Sequence, residues 1–133
     1  MKTNLDVLFK TNKSLEQDGV EFHIGDGVVF RVRRFGGSNS QRIKQSLAKY
    51  HKPYARLIEA DRMPQEDQAK IMAKVFVESC LISWEGVKDA DGNDLPFSFD
   101  NAVELFTSLP ALFDSLFEYA QSDSSYKEEL GNS

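Results

Sequence analysis

Between residues 20 and 33 apolar side chains alternate with polar ones, and from residue 43 onward they recur every three or four positions. A period of two puts successive side chains on opposite faces of a strand, whereas a period near 3.6 gathers them on one stripe of a helix. The chain must therefore join a short sheet to a helical majority. In the first stretch Val20, Phe22 and Ile24 alternate with Glu21 and His23, and Gly25-Asp26-Gly27 supplies a reversal. Glycine reaches the positive-φ backbone of tight turns at little steric cost. Val28-Val29-Phe30-Arg31-Val32-Arg33 follows as a second strand, with Val28, Phe30 and Val32 on one face and Arg31 and Arg33 on the other. The pattern predicts a β-hairpin over 20–34.

Gly36-Gly37 ends the strand, and Ser38 or Asn39 can cap a helix by accepting from free N–H groups of its first turn. Ile43, Leu47, Tyr50, Tyr54 and Leu57 share one helical face, which predicts a helix over about 39–62 with a kink or break at Pro53. Pro64, followed by Glu66 and Asp67, suits a helix start; a helix over 64–84 would carry Ile71, Met72, Val75, Phe76 and Ser79 inward. After a loop at 86–97, Ser98 can cap a helix over 98–108, with Phe97 stapled on Ala102. Pro110 opens a last helix over 110–121 through Phe113, Leu116, Phe117 and Ala120. Residues 1–18 read as a polar N-terminal segment and 122–133 as a flexible polar tail. The expected fold class is α+β, mainly α: an N-terminal β-hairpin followed by a bundle of about four to five helices, in one globular domain over 19–121.

At 133 residues the chain is sized for one domain, and 41% apolar with 28% charged residues is a globular rather than a disordered composition. No apolar run approaches the roughly 20 residues of a membrane span. The opening MKTNLDVLFK lacks the apolar stretch of a secretory signal, so the cytoplasm is the expected location and no membrane is expected as partner. The lone cysteine, Cys80, leaves no internal disulfide; within Val75–Ile82 it reads as a buried structural thiol. The net charge of −5 is unevenly spread: residues 1–70 hold 13 of the 16 Lys/Arg and 9 of the 21 Asp/Glu, so the second half is strongly acidic. Such a dipolar chain suits docking to charged protein surfaces, and its sign argues against nucleic acid as a partner.

Little points to catalysis. Asp89, Asp91 and Asn93, with Asp100 further on, resemble a calcium loop, but Asp94 stands where its turn glycine belongs and Pro96 where an apolar residue belongs, so a plain turn is the better reading. His23 and His51 belong to no recognisable triad, Gly36-Gly37-Ser38 lacks the lysine and spacing of a phosphate loop, and Glu128-Glu129 lies in the polar tail. No enzyme activity, cofactor or metal is expected.

Two surfaces invite a protein partner. Arg31 and Arg33 share a strand face, and Lys49, Lys52 and Arg56 share a helix face by spacing. Phe97, Phe99, Phe106, Phe113, Phe117 and Tyr119 crowd into 23 residues, more ring than two short helices readily hide. A residual apolar patch around Leu109, Leu112, Leu116 and Tyr119 is therefore expected to receive a partner helix or a second copy.

Order and spacing of several short pieces give the chain a wider likeness. They are Leu8-Phe9-Lys10-Thr11-Asn12 with Gly19-Val20-Glu21-Phe22, Phe30-Arg31-Val32-Arg33-Arg34-Phe35-Gly36-Gly37 with Asn39, Trp84-Glu85-Gly86-Val87 with Asp91-Gly92 and Pro96-Phe97, and Leu109-Pro110-Ala111-Leu112 with Ala120, Tyr126 and Glu128-Glu129-Leu130. Over about residues 5–131 the chain resembles the tail assembly chaperones of long-tailed bacteriophages. That resemblance implies a late, non-virion helper of tail morphogenesis. It would bind the tape measure protein, keep its apolar helices soluble, and recruit tail tube subunits. Self-association is a further expectation, as is a frameshifted longer form in many relatives. The alternative is a structural tail or head–tail connector protein retained in the virion.

Overall fold

A computed structural model describes residues 2–127. The fold is α+β and mainly α, with a three-stranded antiparallel sheet of order β1-β2-β3. β1 (Val20–Gly25) and β2 (Val28–Val32) form the expected hairpin, in register Val20↔Val32 and Phe22↔Phe30. Asp26, at φ 53, and Gly27, at φ 78, turn the chain between them.

The third strand departs from expectation. The helix foreseen over 64–84 ends at Ser79 as α5 (Gln65–Ser79), and Leu81–Glu85 is β3, paired with β2 through Phe30↔Trp84 and Arg31↔Ser83. Leu81-Ile82-Ser83-Trp84 continues the helical apolar pattern in sequence, but its branched and aromatic side chains fit a pleated surface equally well. The free edge of β2 decides the outcome, because a hairpin alone is marginal in water and a third strand gives it one buried face.

Between β2 and β3 run α3 (Ser40–His51), a 3-10 turn at Lys52–Tyr54, and α4 (Ala55–Glu59). The helix expected over 39–62 is thus interrupted at Pro53, which lacks the N–H that the ladder would use. Its capping also differs: a 3-10 turn at Gly37–Asn39 leads into α3, and Asn39 turns its side chain into the core. After β3 come α6 (Phe99–Ser108) and α7 (Pro110–Gln121). Ser98 caps α6 by accepting from Asn101 N at 3.1 Å. Phe97 packs edge-on against Trp84, with ring centroids 5.1 Å apart.

α5 is the centre of the molecule. Ile71, Val75, Phe76 and Ser79 are buried as expected while Met72 is only half-buried, and Ala73 and Val77 are buried on the helix's other side. A helix apolar on both sides must be covered on both, and α3 and α6 flank it. Phe76 joins Phe106, Phe113 and Phe117 in a web of rings with centroids 5.5–6.1 Å apart. Cys80 lies fully buried at the end of α5, and burial pushes its thiol up to about 11.

Both termini are more ordered than their polarity suggests. The segment 1–18 contains α1 (Asn4–Phe9) and α2 (Lys13–Asp18). Thr3 and Asp6 cap α1 reciprocally, and Asn12, in the stretch expected as loop, caps α2 by accepting from Leu15 N at 3.1 Å. At the other end Asp123–Tyr126 forms a 3-10 turn, and Tyr126 is fully buried with its hydroxyl donating to Val32 O at 3.2 Å. The tail therefore does not begin at 122; of the flexible stretch expected there, 128–133 lies outside the described residues.

Candidate protein-binding surface

The C-terminal apolar patch closes on itself. Leu116 is fully buried, Leu112 is half-buried, and Tyr119 stacks on Phe22 with centroids 4.4 Å apart while its hydroxyl donates to Glu21 O at 3.0 Å. Sheet and helix thus cover most of the surplus that spacing alone assigned to a partner. Of the four residues, Leu109 stays out in water, 49% exposed at the joint between α6 and α7.

The basic residues divide. Arg31 Nε donates to Asp18 O at 3.0 Å and Arg33 Nε to Gln17 O at 2.8 Å. Both acceptors are carbonyls of the last turn of α2, which lack helical partners and carry the negative end of the helix dipole. These arginines pin α2 to the sheet. Lys49 pairs with Glu78 at 2.6 Å, a bond that raises the pKa of the ammonium. Lys52 and Arg56 remain exposed, but the turn at Lys52–Tyr54 breaks the continuous helix on which the spacing aligned them with Lys49.

Beside α2 lies a polar cluster that composition does not reveal. Glu16 is 2% exposed and accepts from Arg34 Nη1 at 2.7 Å, Ser38 Oγ at 2.8 Å and Thr11 Oγ1 at 3.0 Å. Burial alone would raise this carboxyl, but the hydrogen bonds from Arg34, Ser38 and Thr11 outweigh it and hold the pKa below the ordinary value. Arg34 also pairs with Asp123, so N-terminal helix, strand end and C-terminal turn meet at one guanidinium. Gly37, at φ 54, passes so close that a Cβ there would sit 2.1 Å from Glu16 Oε2. Asn39 completes the junction, donating to Arg34 O at 2.9 Å and Ser79 O at 3.1 Å.

This cluster fixes α2 and leaves α1 projecting. Leu5, Val7, Leu8 and Phe9 are between 53% and 64% exposed, and α1 buries no residue. The helix is tethered at its far end, where Lys127 donates to Leu8 O and Asn12 N donates to Tyr126 O at 2.8 Å. Exposed Lys2, Lys10 and Lys13 flank it in sequence. Neighbouring large apolar side chains left in water make α1 the candidate interaction surface. Sequence reasoning missed it by weighing the opening eighteen residues as polar. The signal was Leu5, Val7, Leu8 and Phe9 behind the Thr3–Asp6 capping box.

The other candidates resolve into structure. Asp89 accepts from Asp91 N and Asn93 N, both at 2.9 Å, so its carboxylate organises a turn. Among the described residues no group of three or more His, Cys, Asp or Glu could hold a metal ion, and no helix is long and apolar enough to cross a membrane. His23 sits on the exposed hairpin face 3.0 Å from Glu21.

Comparison with known proteins places the chain. No curated protein and no solved structure matches it. Residues 38–132, from the loop before α3 into the C-terminal segment, match the family model described as YdaY prophage protein. That match covers most of the sequence, and the chain belongs to the YdaY prophage protein family, which makes it a protein of phage origin.

Proposed function

We propose that the protein is a tail assembly chaperone, binding the tape measure protein and tail tube subunits during tail morphogenesis in the host cytoplasm. The observation that carries this reading is α1, a capped helix with four large apolar side chains in water on a chain of phage origin. A projecting apolar helix flanked in sequence by lysines can cover the apolar stripe of another helix while the lysines engage carboxylates beside it. The order of motifs shared with tail assembly chaperones points the same way. The described residues offer structural uses for Glu16, Arg34, Asp89 and Cys80, and the proposed role is binding rather than catalysis.

The test is co-expression with a tape measure fragment from the same phage. The chaperone reading expects the fragment to become soluble and to co-purify with the protein, and it expects mature particles to lack the protein by mass spectrometry. A fragment that stays insoluble beside a folded protein overturns it. Recovery of the protein from mature particles would favour a connector retained in the virion.

A further inference from the structure

α1 is basic as well as apolar. Its one carboxylate, Asp6, is taken up by its own capping box, while exposed Lys2, Lys10 and Lys13 flank it in sequence. The opposite character lies elsewhere on the molecule. Residues 89–126 contain eight Asp/Glu and no Lys, Arg or His. Asp94 and Asp123 of that set are neutralised by Lys88 and Arg34. On α7, Ala111, Asp114, Ser115 and Glu118 recur at steps of three, one and three, and all four are exposed. They form the outward stripe of the helix, with exposed Leu109 at its head. Neither Asp114 nor Glu118 has an ion-pair partner among the described residues.

We propose that α1 of one copy docks on this acidic α7 face of a second copy, so that the protein self-associates head to tail. The charges select that arrangement. A two-fold contact between α1 helices would set lysines against lysines, and one between α7 faces would set carboxylates against carboxylates; the heterologous contact pairs opposite signs. Leu5, Leu8 and Phe9 then lose water against Leu109 and Ala111, while Lys10 and Lys13 meet Asp114 and Glu118. Each copy keeps one unused surface of each kind, so assembly proceeds beyond a dimer into a ring or a chain. Its electrostatic part fades in salt, since the screening length falls to about 3 Å at 1 M.

A client helix would compete with α7 for α1, so sedimentation velocity on the purified full chain tests this with no client present; its failure leaves the chaperone reading standing, and the reverse also holds. The mean mass should rise with concentration to at least twice the 15.1 kDa of one chain and fall back with added salt. Leu5→Asp with Leu8→Asp, and separately Asp114→Lys with Glu118→Lys, should each give monomers of unchanged circular dichroism. Mixed, the two variants should form a one-to-one heterodimer and nothing larger, because each lacks one surface and lends the other. Should the α1 variant lose its fold, Leu5→Ser with Leu8→Ser replaces it. A wild-type chain monomeric at all concentrations, variants that still associate alone, or variants that fail to pair when mixed would each overturn the proposal.

Discussion

Glu16→Gln is the sharpest probe of how the two termini are held. The substitution preserves shape but removes the charge and turns an amide N–H₂ toward groups that themselves donate. At stake are charge-assisted bonds to the Glu16 carboxylate from Arg34 at 2.7 Å and from the hydroxyls of Ser38 and Thr11, which a glutamine would replace with neutral ones at best. Hydrogen bonds to charged groups contribute about 1.5–3 kcal/mol and neutral ones about 0.5–1.5 kcal/mol. Arg34 keeps Asp123 and its side chain remains 15% exposed, so the roughly 3–5 kcal/mol cost of a fully orphaned buried charge is not reached. The expected loss is about 2–3 kcal/mol, or a Tm drop of roughly 6–15 °C for a chain of this size. Urea and thermal unfolding at neutral pH measure it. A folded-state pKa below the ordinary 4.5 means Glu16 stabilises the fold above that pH and loses the contribution as pH falls further. The difference between wild type and variant should therefore shrink in acid. Glu16→Met combined with Arg34→Met should cost less than the two single changes summed, because it removes both charges together. A Glu16→Gln protein within about 0.5 kcal/mol of wild type at neutral pH would refute this reasoning.

Three further outcomes follow from the same contacts. Gly37→Ala places a Cβ 2.1 Å from Glu16 Oε2 at a positive φ, and should cost about 2 kcal/mol or more in chemical denaturation. Tyr126→Ala empties a fully buried site and should cost about 3–5 kcal/mol, while limited proteolysis at α1 and α2 speeds up because the turn whose carbonyl accepts from Asn12 N loses the ring and hydroxyl that hold it in place. The buried Cys80 thiol, pushed up to about 11, should resist a thiol-specific reagent in mildly alkaline buffer and react fully once urea unfolds the chain.

The hairpin was legible in sequence because its apolar alternation and Gly-Asp-Gly turn are local signals, and Pro53 and Pro110 marked helix boundaries for the same reason. β3 was not: Leu81–Trp84 reads as more of α5, and the free edge of β2, 50 residues earlier, makes it a strand. Spacing marks Leu116 and Tyr119 as a shared face but does not show what lies across from it. The sheet face that covers Tyr119 comes from Phe22, nearly a hundred positions away. Glu16 was hidden for a related reason. A glutamate in a polar stretch carries no mark of burial, and only the fold brings Arg34 and Ser38 to it. Tyr126 did carry a mark, as a lone ring in a polar tail.

The projecting N-terminal helix is the centre of the account, and a binding titration with a tape measure fragment tests it most directly. Wild type and the Leu5→Asp, Leu8→Asp variant would be compared at equal concentration, with circular dichroism confirming both folds. Burying a leucine side chain contributes about 1.5 kcal/mol or more, so losing two should weaken the complex by roughly a hundredfold. Equal affinity of the two proteins for the fragment would contradict the assignment of α1 as the client surface.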